Sequence, residues 1–157
     1  MTRVLFVCHG NICRSPMAEY VMKDMLRKTG LEYEYEISSA ATSREEIGNP
    51  VYPPARNKLA EHGISCEGHR ARQMTKSDCL YYDLIVCMDC FNVRSARNIA
   101  GGDPDNKIVL LLDFTDRTGS EVADPWFTGN FDETWTDVAE GCAGLIEYCK
   151  RRKKARE

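Results

Sequence analysis

The residues best suited to chemistry lie in one short segment, which begins at Cys8, ends at Ser15 and reads CHGNICRS. It places a thiol six residues before the guanidinium of Arg14, directly after an apolar run and directly before a helical pattern. A loop between the carboxyl end of a strand and the N-terminus of a helix collects backbone N–H groups and the positive end of a helix dipole. Such a loop binds an anion, and phosphate fits it.

A thiol and an arginine turn this anion site into a candidate catalytic site. The loop N–H groups, the helix dipole and Arg14 all favour the thiolate of Cys8, which is the nucleophilic form. A guanidinium can also donate to two oxygens of a phosphoryl group, which an ammonium cannot do. Gly10 and Asn11 suit left-handed backbone angles that would turn the N–H groups inward. The spacing alone is a weak signal, but its placement disfavours the alternative of a buried thiol beside an unrelated surface arginine.

The elements that must position this loop follow from hydrophobic periodicity. Apolar runs predict four strands, and apolar residues spaced three and four apart predict four helices. The predicted strands are 3–7, 33–39, 83–88 and 107–112, and the predicted helices are 15–28, 53–62, 89–100 and 132–152. Strands that alternate with helices form parallel crossovers, so we expect an α/β three-layer sandwich with a central four-stranded parallel sheet flanked by helices. We expect one domain, residues 1–157, with ligands bound at the carboxyl ends of the strands.

Composition excludes several classes of protein. The chain has 157 residues with 21 basic and 24 acidic ones, which gives a formal net charge of −3, and its only basic run lies at 150–156. Nucleic-acid binders are usually basic, so we expect no nucleic acid partner. No stretch is apolar enough to predict a membrane span, so we expect no membrane partner either. The N-terminus shows no signal-peptide pattern, which predicts a cytoplasmic protein with its eight cysteines reduced.

Six segments spread over nearly the whole chain follow a known pattern. They read VLFVCHGNICRSPMAE at 4–19, SAATS at 39–43, IGNP at 47–50, HRARQ at 69–73, DLIVCMD at 83–89 and DPW at 124–126. Together they resemble the low-molecular-weight protein tyrosine phosphatases. The resemblance implies the same α/β fold, and hydrolysis of phosphotyrosine and small aryl phosphates through a phosphocysteine intermediate.

The resemblance also implies a role for each residue of the loop. Cys8 would be the nucleophile, Arg14 the phosphate clamp, and Ser15 the hydroxyl that hydrogen-bonds the Cys8 sulfur and eases its departure. A buried hydrogen-bond network would hold the strained backbone of the loop. Its members by resemblance are Asn11, Ser39 and His69.

A carboxylic acid is the second requirement, because a leaving aryloxide with a pKa near 10 is best protonated as it departs. The resemblance identifies Asp124, in the segment Asp-Pro-Trp, as this general acid. The residues alone leave Asp113, Asp116 and Asp132 as competitors in the same stretch. The scheme predicts no metal and no cofactor, because the loop N–H groups and Arg14 would stabilise the charge that magnesium carries in other phosphoryl-transfer enzymes.

Two further loop residues bear on redox behaviour and substrate class. In the family, a neighbour such as Cys13 can form a disulfide with the catalytic cysteine, which would stop oxidation of Cys8 at a reversible stage. The alternative is that Cys13 is a small packing residue. Ile12 resembles the phosphotyrosine branch of the family, because relatives that resemble protein-arginine phosphatases carry threonine at this position.

The predicted substrate rim consists of Glu45, Trp126 and Phe127, with His9 facing solvent. Trp126 and Phe127 keep an aromatic wall where many relatives have two tyrosines, and they remove two candidate phosphorylation sites. Glu45 and its neighbour Glu46 predict an acidic, open pocket mouth that disfavours acidic phosphopeptides.

The leading hypothesis is therefore a protein tyrosine phosphatase that acts on tyrosine-phosphorylated proteins, as a monomer or with weak self-association. The alternative is a thioredoxin-coupled arsenate reductase, whose loop is similar and which passes oxidation along further cysteines such as Cys79, Cys87 and Cys90. A non-catalytic phosphotyrosine-binding module would gain nothing from both Cys8 and Asp124. A structural zinc site at Cys87 and Cys90 is disfavoured because it is a lone half-site.

Overall fold

The sheet is built around the strand that precedes the predicted loop. The computed structural model describes residues 1–157, and its strands are β1 (Thr2–Cys8), β2 (Tyr35–Ala41), β3 (Leu84–Cys87) and β4 (Ile108–Leu110). They pair in parallel in the order β2-β1-β3-β4. Because β1 lies inside the sheet, its carboxyl end at Cys8 is flanked by the ends of β2 and β3. The predicted four-stranded parallel sheet is confirmed.

Six α-helices connect and cover the strands. They are α1 (Arg14–Lys28), α2 (Pro53–Glu61), α3 (Lys76–Tyr81), α4 (Cys90–Ala100), α5 (Pro125–Thr128) and α6 (Phe131–Arg156). Two single turns of 3-10 helix occupy Glu32–Glu34 and Leu111–Phe114. None of the helices combines the length and the apolar composition needed to cross a bilayer.

Alternation along β1 separates the helices into two layers and decides where the Cys8 side chain lies. Successive side chains of a strand point to opposite faces of the sheet. Phe6 and Cys8 join the larger core, which includes the buried faces of α1, α2 and α6. Leu5 and Val7 join the smaller core, with Ala96 of α4. The sulfur of Cys8 therefore lies on the α1 side of the sheet.

Some predicted boundaries were wrong because turns of 3-10 helix replace the ends of strands. β2 begins at Tyr35 rather than Tyr33, and β4 ends at Leu110 rather than Leu112. The closing helix begins at Phe131 and continues to Arg156, four residues beyond its predicted end. Its last turns are exposed, so no apolar periodicity marks them.

Two helices were not predicted, because elements of six and four residues are too short to show a periodic pattern. α3 does carry a readable start signal. Thr75 and Asp78 have the spacing of a capping box at its N-terminus, and Oδ2 of Asp78 accepts from the backbone N–H of Thr75 at 2.7 Å and from its hydroxyl at 3.3 Å. That spacing of threonine and aspartate was a usable sequence signal.

α6 packs closely on the 3-10 turn at 111–114 through two glycines. A Cβ added to Gly141 would lie 2.4 Å from Cγ of Leu111, and one added to Gly144 would lie 2.1 Å from the backbone oxygen of Phe114. Real Cβ atoms do not approach other atoms so closely. The absence of a side chain at these two positions therefore lets the helix lie against the segment that follows β4.

We expect Gly144→Ala to lower the free energy of unfolding by about 1–3 kcal/mol, the usual cost of overpacking. In an exposed helix the same change would stabilise by about 1 kcal/mol, so close packing reverses its sign. Chemical denaturation monitored by circular dichroism measures this. The matched control is Ala143→Gly on the exposed side of the same turn, with an expected cost of about 1 kcal/mol. A stabilised Gly144→Ala protein would contradict the close packing.

Candidate active site

The loop from Cys8 to Ser15 forms the floor of a pocket at the carboxyl end of β1. The pocket has a volume of about 300 Å³. It is lined by Cys8, His9, Gly10, Ile12, Cys13, Arg14, Glu45, Glu46, Asp124, Trp126 and Phe127. The structure thus brings together the predicted nucleophile, clamp, acid and rim. A second, wider cleft of about 570 Å³ is lined by residues between Pro50 and Arg70 and contains one cysteine, Cys66. Burial raises the pKa of Cys66, so its sulfur remains a thiol and is a poor nucleophile.

Two donors converge on the sulfur of Cys8. The backbone N–H of Ser15 donates to Sγ at 3.4 Å, and the Ser15 hydroxyl lies 3.0 Å from it. The Asn11 side-chain amide donates to the same hydroxyl oxygen at 2.8 Å. That bond leaves the hydroxyl proton free to point at the sulfur. A sulfur that receives two donors is stabilised as a thiolate rather than as a thiol.

The backbone of the loop also presents unpaired donors. The N–H groups of residues 9–13 have no acceptor within the protein, and four of these five residues line the pocket. They lie next to the N-terminus of α1, which begins at Arg14 without a side-chain cap. Unpaired N–H groups beside a helix N-terminus are the arrangement that binds a phosphate group.

Asn11 holds the loop in an unusual conformation. Its φ is +59°, in the left-handed region that few residues other than glycine adopt readily. Its amide also donates to Ser39 Oγ at 2.9 Å, and its Oδ1 accepts from the backbone N–H of Arg72 at 3.2 Å. Its carbonyl oxygen bonds the Nε2 of His69 at 2.8 Å. The structure thus places Asn11, Ser39 and His69 in one buried hydrogen-bond network.

The network continues to a residue that sequence reasoning missed. Ser39 donates to Oε1 of Glu19 at 2.6 Å, and Lys23 donates to Oε2 of the same carboxylate at 2.6 Å. Glu19 lies on α1 and is only 6 % exposed. It fixes the Ser39 hydroxyl as a donor to the carboxylate, which leaves the Ser39 oxygen as an acceptor for Asn11.

The prediction for Gly10 was wrong. It is absent from the residues with a positive φ, so it does not need left-handed angles. A Cβ at this position would lie 3.4 Å from Cγ of Glu46, which is an ordinary van der Waals contact. Neither the backbone angles nor the space around Gly10 therefore requires a glycine.

Arg14 is 2 % exposed and is held by carboxylates at the carboxyl end of the sheet. Its Nη1 donates to Oδ2 of Asp89 at 2.7 Å and to the carbonyl oxygen of Val122 at 3.0 Å, while Nη2 donates to Oδ2 of Asp124 at 3.4 Å. Burial opposes the charged guanidinium, but the Cys8 sulfur and the two carboxylates outweigh it and raise the pKa of Arg14. Arg14 therefore remains a cation in the pocket.

Asp89 was not among the predicted site residues. It is the N-cap of α4, and its Oδ1 accepts from the backbone N–H of Asn92 at 2.8 Å. Its other oxygen binds Arg14. The available signal was topological, because Asp89 comes just after β3, whose carboxyl end lies next to that of β1.

Asp124 is the one of the four considered aspartates that lines the pocket. Its side chain is 25 % exposed, and its Oδ1 accepts from the backbone N–H of Trp126 at 3.1 Å. The other three aspartates, Asp113, Asp116 and Asp132, do not line the pocket. Asp113 accepts from the backbone N–H of Gly119, and the exposed Asp132 pairs with Lys58.

Comparisons with known proteins agree with this geometry. A model of the family described as "Low molecular weight phosphotyrosine protein phosphatase" matches residues 3–155. The chain is 39 % identical over 155 residues to the low molecular weight protein-tyrosine-phosphatase YfkJ of Bacillus subtilis, covering 98 % of this chain and 99 % of that protein. It is 38 % identical over 149 residues to the low molecular weight phosphotyrosine protein phosphatase of Gallus gallus, covering 92 % of this chain and 93 % of that protein.

The crystal structure of YfkJ superposes with a TM-score of 0.94 at 40 % identity, covering 98 % of this chain and 97 % of that one. The chain belongs to the low molecular weight phosphotyrosine protein phosphatase family. A drosophila arginine phosphatase shares the fold, with a TM-score of 0.87 at 29 % identity and coverage of 96 % and 98 %. The walls of the pocket therefore bear on which substrate fits this member of the family.

In this phosphatase the apolar walls of the pocket are Ile12 and Trp126. The Trp126 ring packs against Tyr52, with 4.9 Å between the ring centroids. The backbone N–H of Tyr52 donates to the carbonyl oxygen of Ile12 at 2.9 Å, so one residue supports both walls. Tyr52 was not predicted, because its loop position gives no sequence signal. Phe127, at 84 % exposure, projects from the rim into solvent.

Cys13 lines the pocket beside the Cys8 sulfur, but its chemical state differs. Burial, and then the negative charge at Cys8, raise the pKa of Cys13, so its sulfur carries a proton. The pKa values of the six remaining cysteines are also raised. For five of them the main cause is burial, and for the exposed Cys90 it is a hydrogen bond with Glu121.

We expect Asp89→Asn to destabilise the free protein by about 1–3 kcal/mol, the cost of leaving a buried donor without its full partner. Removing one partner of a buried cation leaves charge uncompensated, although Asp124 still offsets part of it. Inorganic phosphate supplies the missing negative charge, so saturating phosphate should raise the melting temperature more in the variant than in the wild type. Thermal denaturation with and without phosphate measures both effects.

The matched control is Asp105→Asn, which removes an exposed carboxylate in the loop before β4. It should change neither the stability nor the effect of phosphate. A smaller phosphate effect in Asp89→Asn than in the wild type would show that Asp89 does not act through the charge of Arg14.

Proposed function

We propose that this chain hydrolyses phosphotyrosine in proteins, and small aryl phosphates, through a phosphocysteine formed on Cys8. One observation carries the proposal. The pocket that holds the Cys8 sulfur on a floor of unpaired N–H groups also contains the Asp124 carboxylate, with the buried Arg14 guanidinium within 3.4 Å of that carboxylate. A nucleophile, an acid and a fixed cation thus share a space large enough for one phosphorylated ring.

Binding uses the loop and the arginine. The N–H groups of residues 9–13 and the N-terminus of α1 receive the phosphoryl oxygens, and Arg14 donates to two of them. Asp89 keeps its bond to Nη1 while Nη2 turns from Asp124 to the phosphate. The phosphate dianion displaces Asp124 from Arg14, which leaves that carboxyl beside the leaving oxygen.

In the first step the Cys8 sulfur attacks phosphorus in line with the bond to the aryl oxygen. The S–P bond forms with the sulfur's electron pair, and the P–O bond breaks with its electrons moving to the aryl oxygen. Asp124, protonated in the complex, gives its proton to that oxygen, so the phenol leaves neutral. The N–H groups and Arg14 stabilise the charge on the three remaining oxygens.

In the second step Asp124, now a carboxylate, takes a proton from a water molecule that attacks phosphorus. The S–P bond breaks and its electrons return to the sulfur. Inorganic phosphate leaves, and the two donors of Ser15 stabilise the thiolate that re-forms. Ser15 therefore acts on the leaving sulfur in this step.

The proposal that the substrate is an aryl phosphate rests on the apolar walls of the pocket. Ile12 and Trp126 border the pocket above the Cys8 sulfur, which is 3 % exposed at its base. A phenyl ring fits between an aliphatic and an aromatic wall, whereas a phosphoserine side chain has no ring to pack against them. The expected partners are therefore tyrosine-phosphorylated proteins.

The comparisons support the phosphatase and not the arsenate reductase. Of the further cysteines considered for a relay, Cys87 lies at the end of β3, the strand next to β1. Cys87 is fully buried, and burial raises its pKa, so it is an inert thiol in the unliganded protein.

We expect Cys8→Ser to abolish turnover of p-nitrophenyl phosphate, and Asp124→Asn to lower kcat by about 10²–10³-fold, within the range for loss of a general acid. Asp132→Asn is the matched control and should keep wild-type kcat. Assays in EDTA also test the expectation that no metal is needed. Activity that survives in Cys8→Ser would refute the phosphocysteine mechanism.

A second measurement distinguishes the proposed phosphatase from an arsenate reductase. With thioredoxin, thioredoxin reductase and NADPH, arsenate should cause no NADPH oxidation above background, because Cys87, which follows the neighbouring strand, is buried as a thiol. Arsenate-dependent oxidation without phosphatase activity would replace the proposed function with the alternative.

A further inference from the structure

The mouth of the pocket carries two glutamates whose charges the proposed reaction does not use. Glu45 and Glu46 both line the pocket and together form what we term the acidic rim. The Glu45 side chain is 68 % exposed, and its Oε2 lies 2.9 Å from Nε2 of His9. Glu46 is half-buried and accepts from the side-chain amide of Asn49 at 2.6 Å. Neither side chain touches Cys8, Arg14 or Asp124 through a hydrogen bond.

The acidic rim is held in place by the catalytic loop itself. Just before it, the backbone N–H of Thr42 donates to the carbonyl oxygen of Cys8 at 2.9 Å. The N–H and the hydroxyl of Ser43 both donate to the carbonyl oxygen of His9, at 3.1 and 2.9 Å. Just after it, Gly48 donates to the carbonyl oxygen of Ala71 at 2.8 Å. Both ends of the segment are therefore fixed, so the two carboxylates are ordered before a substrate arrives.

The local charge at the mouth is negative. The pocket lining contains two basic residues, Arg14 and His9. Arg14 is buried and already faces Asp89 and Asp124, and its charge is directed at the phosphate. The neighbouring Arg44 donates through Nε to the side chain of Gln73 and does not line the pocket. Only the His9 imidazole, which is 54 % exposed, faces the acidic rim.

We propose that the acidic rim is a binding subsite for a lysine or arginine side chain that flanks the phosphotyrosine of a protein substrate. This rests on the proposed function, because the phosphotyrosine must occupy the pocket for a flanking residue to reach the rim. The substrate cation takes the place of the His9 ring at Oε2 of Glu45 and lies near the Glu46 carboxylate. An acidic flanking residue is repelled by the same two groups.

The expected size of the preference for a basic flanking residue follows from the exposure of the acidic rim to solvent. An exposed ion pair changes affinity by about two- to fivefold, and repulsion between like charges is of similar size. Two carboxylates that attract a basic flank and repel an acidic one should therefore separate the two substrates by about tenfold or more at low ionic strength. Screening should remove most of the difference when the Debye length falls from about 30 Å at 0.01 M salt to about 3 Å at 1 M.

Two phosphotyrosine peptides that differ only in lysines or glutamates beside the phosphotyrosine test the subsite. The readout is the ratio of their kcat/KM values at both ionic strengths, for the wild type, Glu45→Gln and the double variant Glu45→Gln/Glu46→Gln. We expect a ratio of about 10 or more in favour of lysine for the wild type at low salt. The ratio should fall part of the way in the single variant and towards one in the double variant.

The matched control is Glu147→Gln, which removes the same charge from an exposed position on α6 outside the pocket lining. Its ratio should equal that of the wild type. Glutamine can keep the hydrogen bonds to His9 and Asn49, and Glu45 is exposed enough for the single variant to fold.

Three outcomes would overturn the subsite: a wild-type ratio near one, a high ratio that the double variant keeps, or an equal fall in Glu147→Gln. Wild-type turnover of p-nitrophenyl phosphate distinguishes failure of the subsite from failure of the proposed function. If the wild type hydrolyses that compound and the ratio is near one, only the subsite fails. If it hydrolyses no aryl phosphate, the proposed function fails.

Discussion

The structure depends on a sulfur atom that must be held as an anion at the end of a buried strand. Two donors from Ser15 converge on Cys8, and Asn11 orients one of them by donating to the Ser15 hydroxyl oxygen. Asn11 does this at a φ of +59°, a conformation whose cost in free energy other contacts must offset. Its remaining bonds, to Ser39 of β2 and to His69 and the backbone of Arg72 in the segment 69–73, provide that support from two separate parts of the chain.

The second constraint is the charge of Arg14, which is buried and must be balanced before phosphate arrives. Asp89 and Asp124 balance it from two loops that follow different strands. The parallel sheet makes this possible, because the carboxyl ends of β1 and β3 lie side by side. The two carboxylates have different roles once phosphate binds. Asp89 is also the cap of α4 and stays in place, whereas Asp124 lies at the start of a four-residue helix at the pocket mouth.

Local sequence was sufficient for the parts of the site that are local. The order of strand, loop and helix at 2–28, and the thiol and arginine within it, could be predicted from periodicity and spacing alone. Asp124 needed the family resemblance, because three other aspartates share its stretch. Asp89, Glu19 and Tyr52 were missed because their roles arise only where the folded sheet and helices bring distant segments together. Gly10 was misjudged because the presence of a glycine in a loop does not show whether its backbone adopts left-handed angles.

The central claim is that the loop holds the Cys8 sulfur as the reactive nucleophile of the protein, and the most direct test is the site and rate of alkylation by iodoacetamide at neutral pH. The account predicts that Cys8 is alkylated faster than the seven other cysteines, whose pKa values are raised, that phosphate protects it, and that Ser15→Ala slows the reaction. Alkylation of Cys8 no faster than that of the exposed Cys90, with no protection by phosphate, would contradict the account.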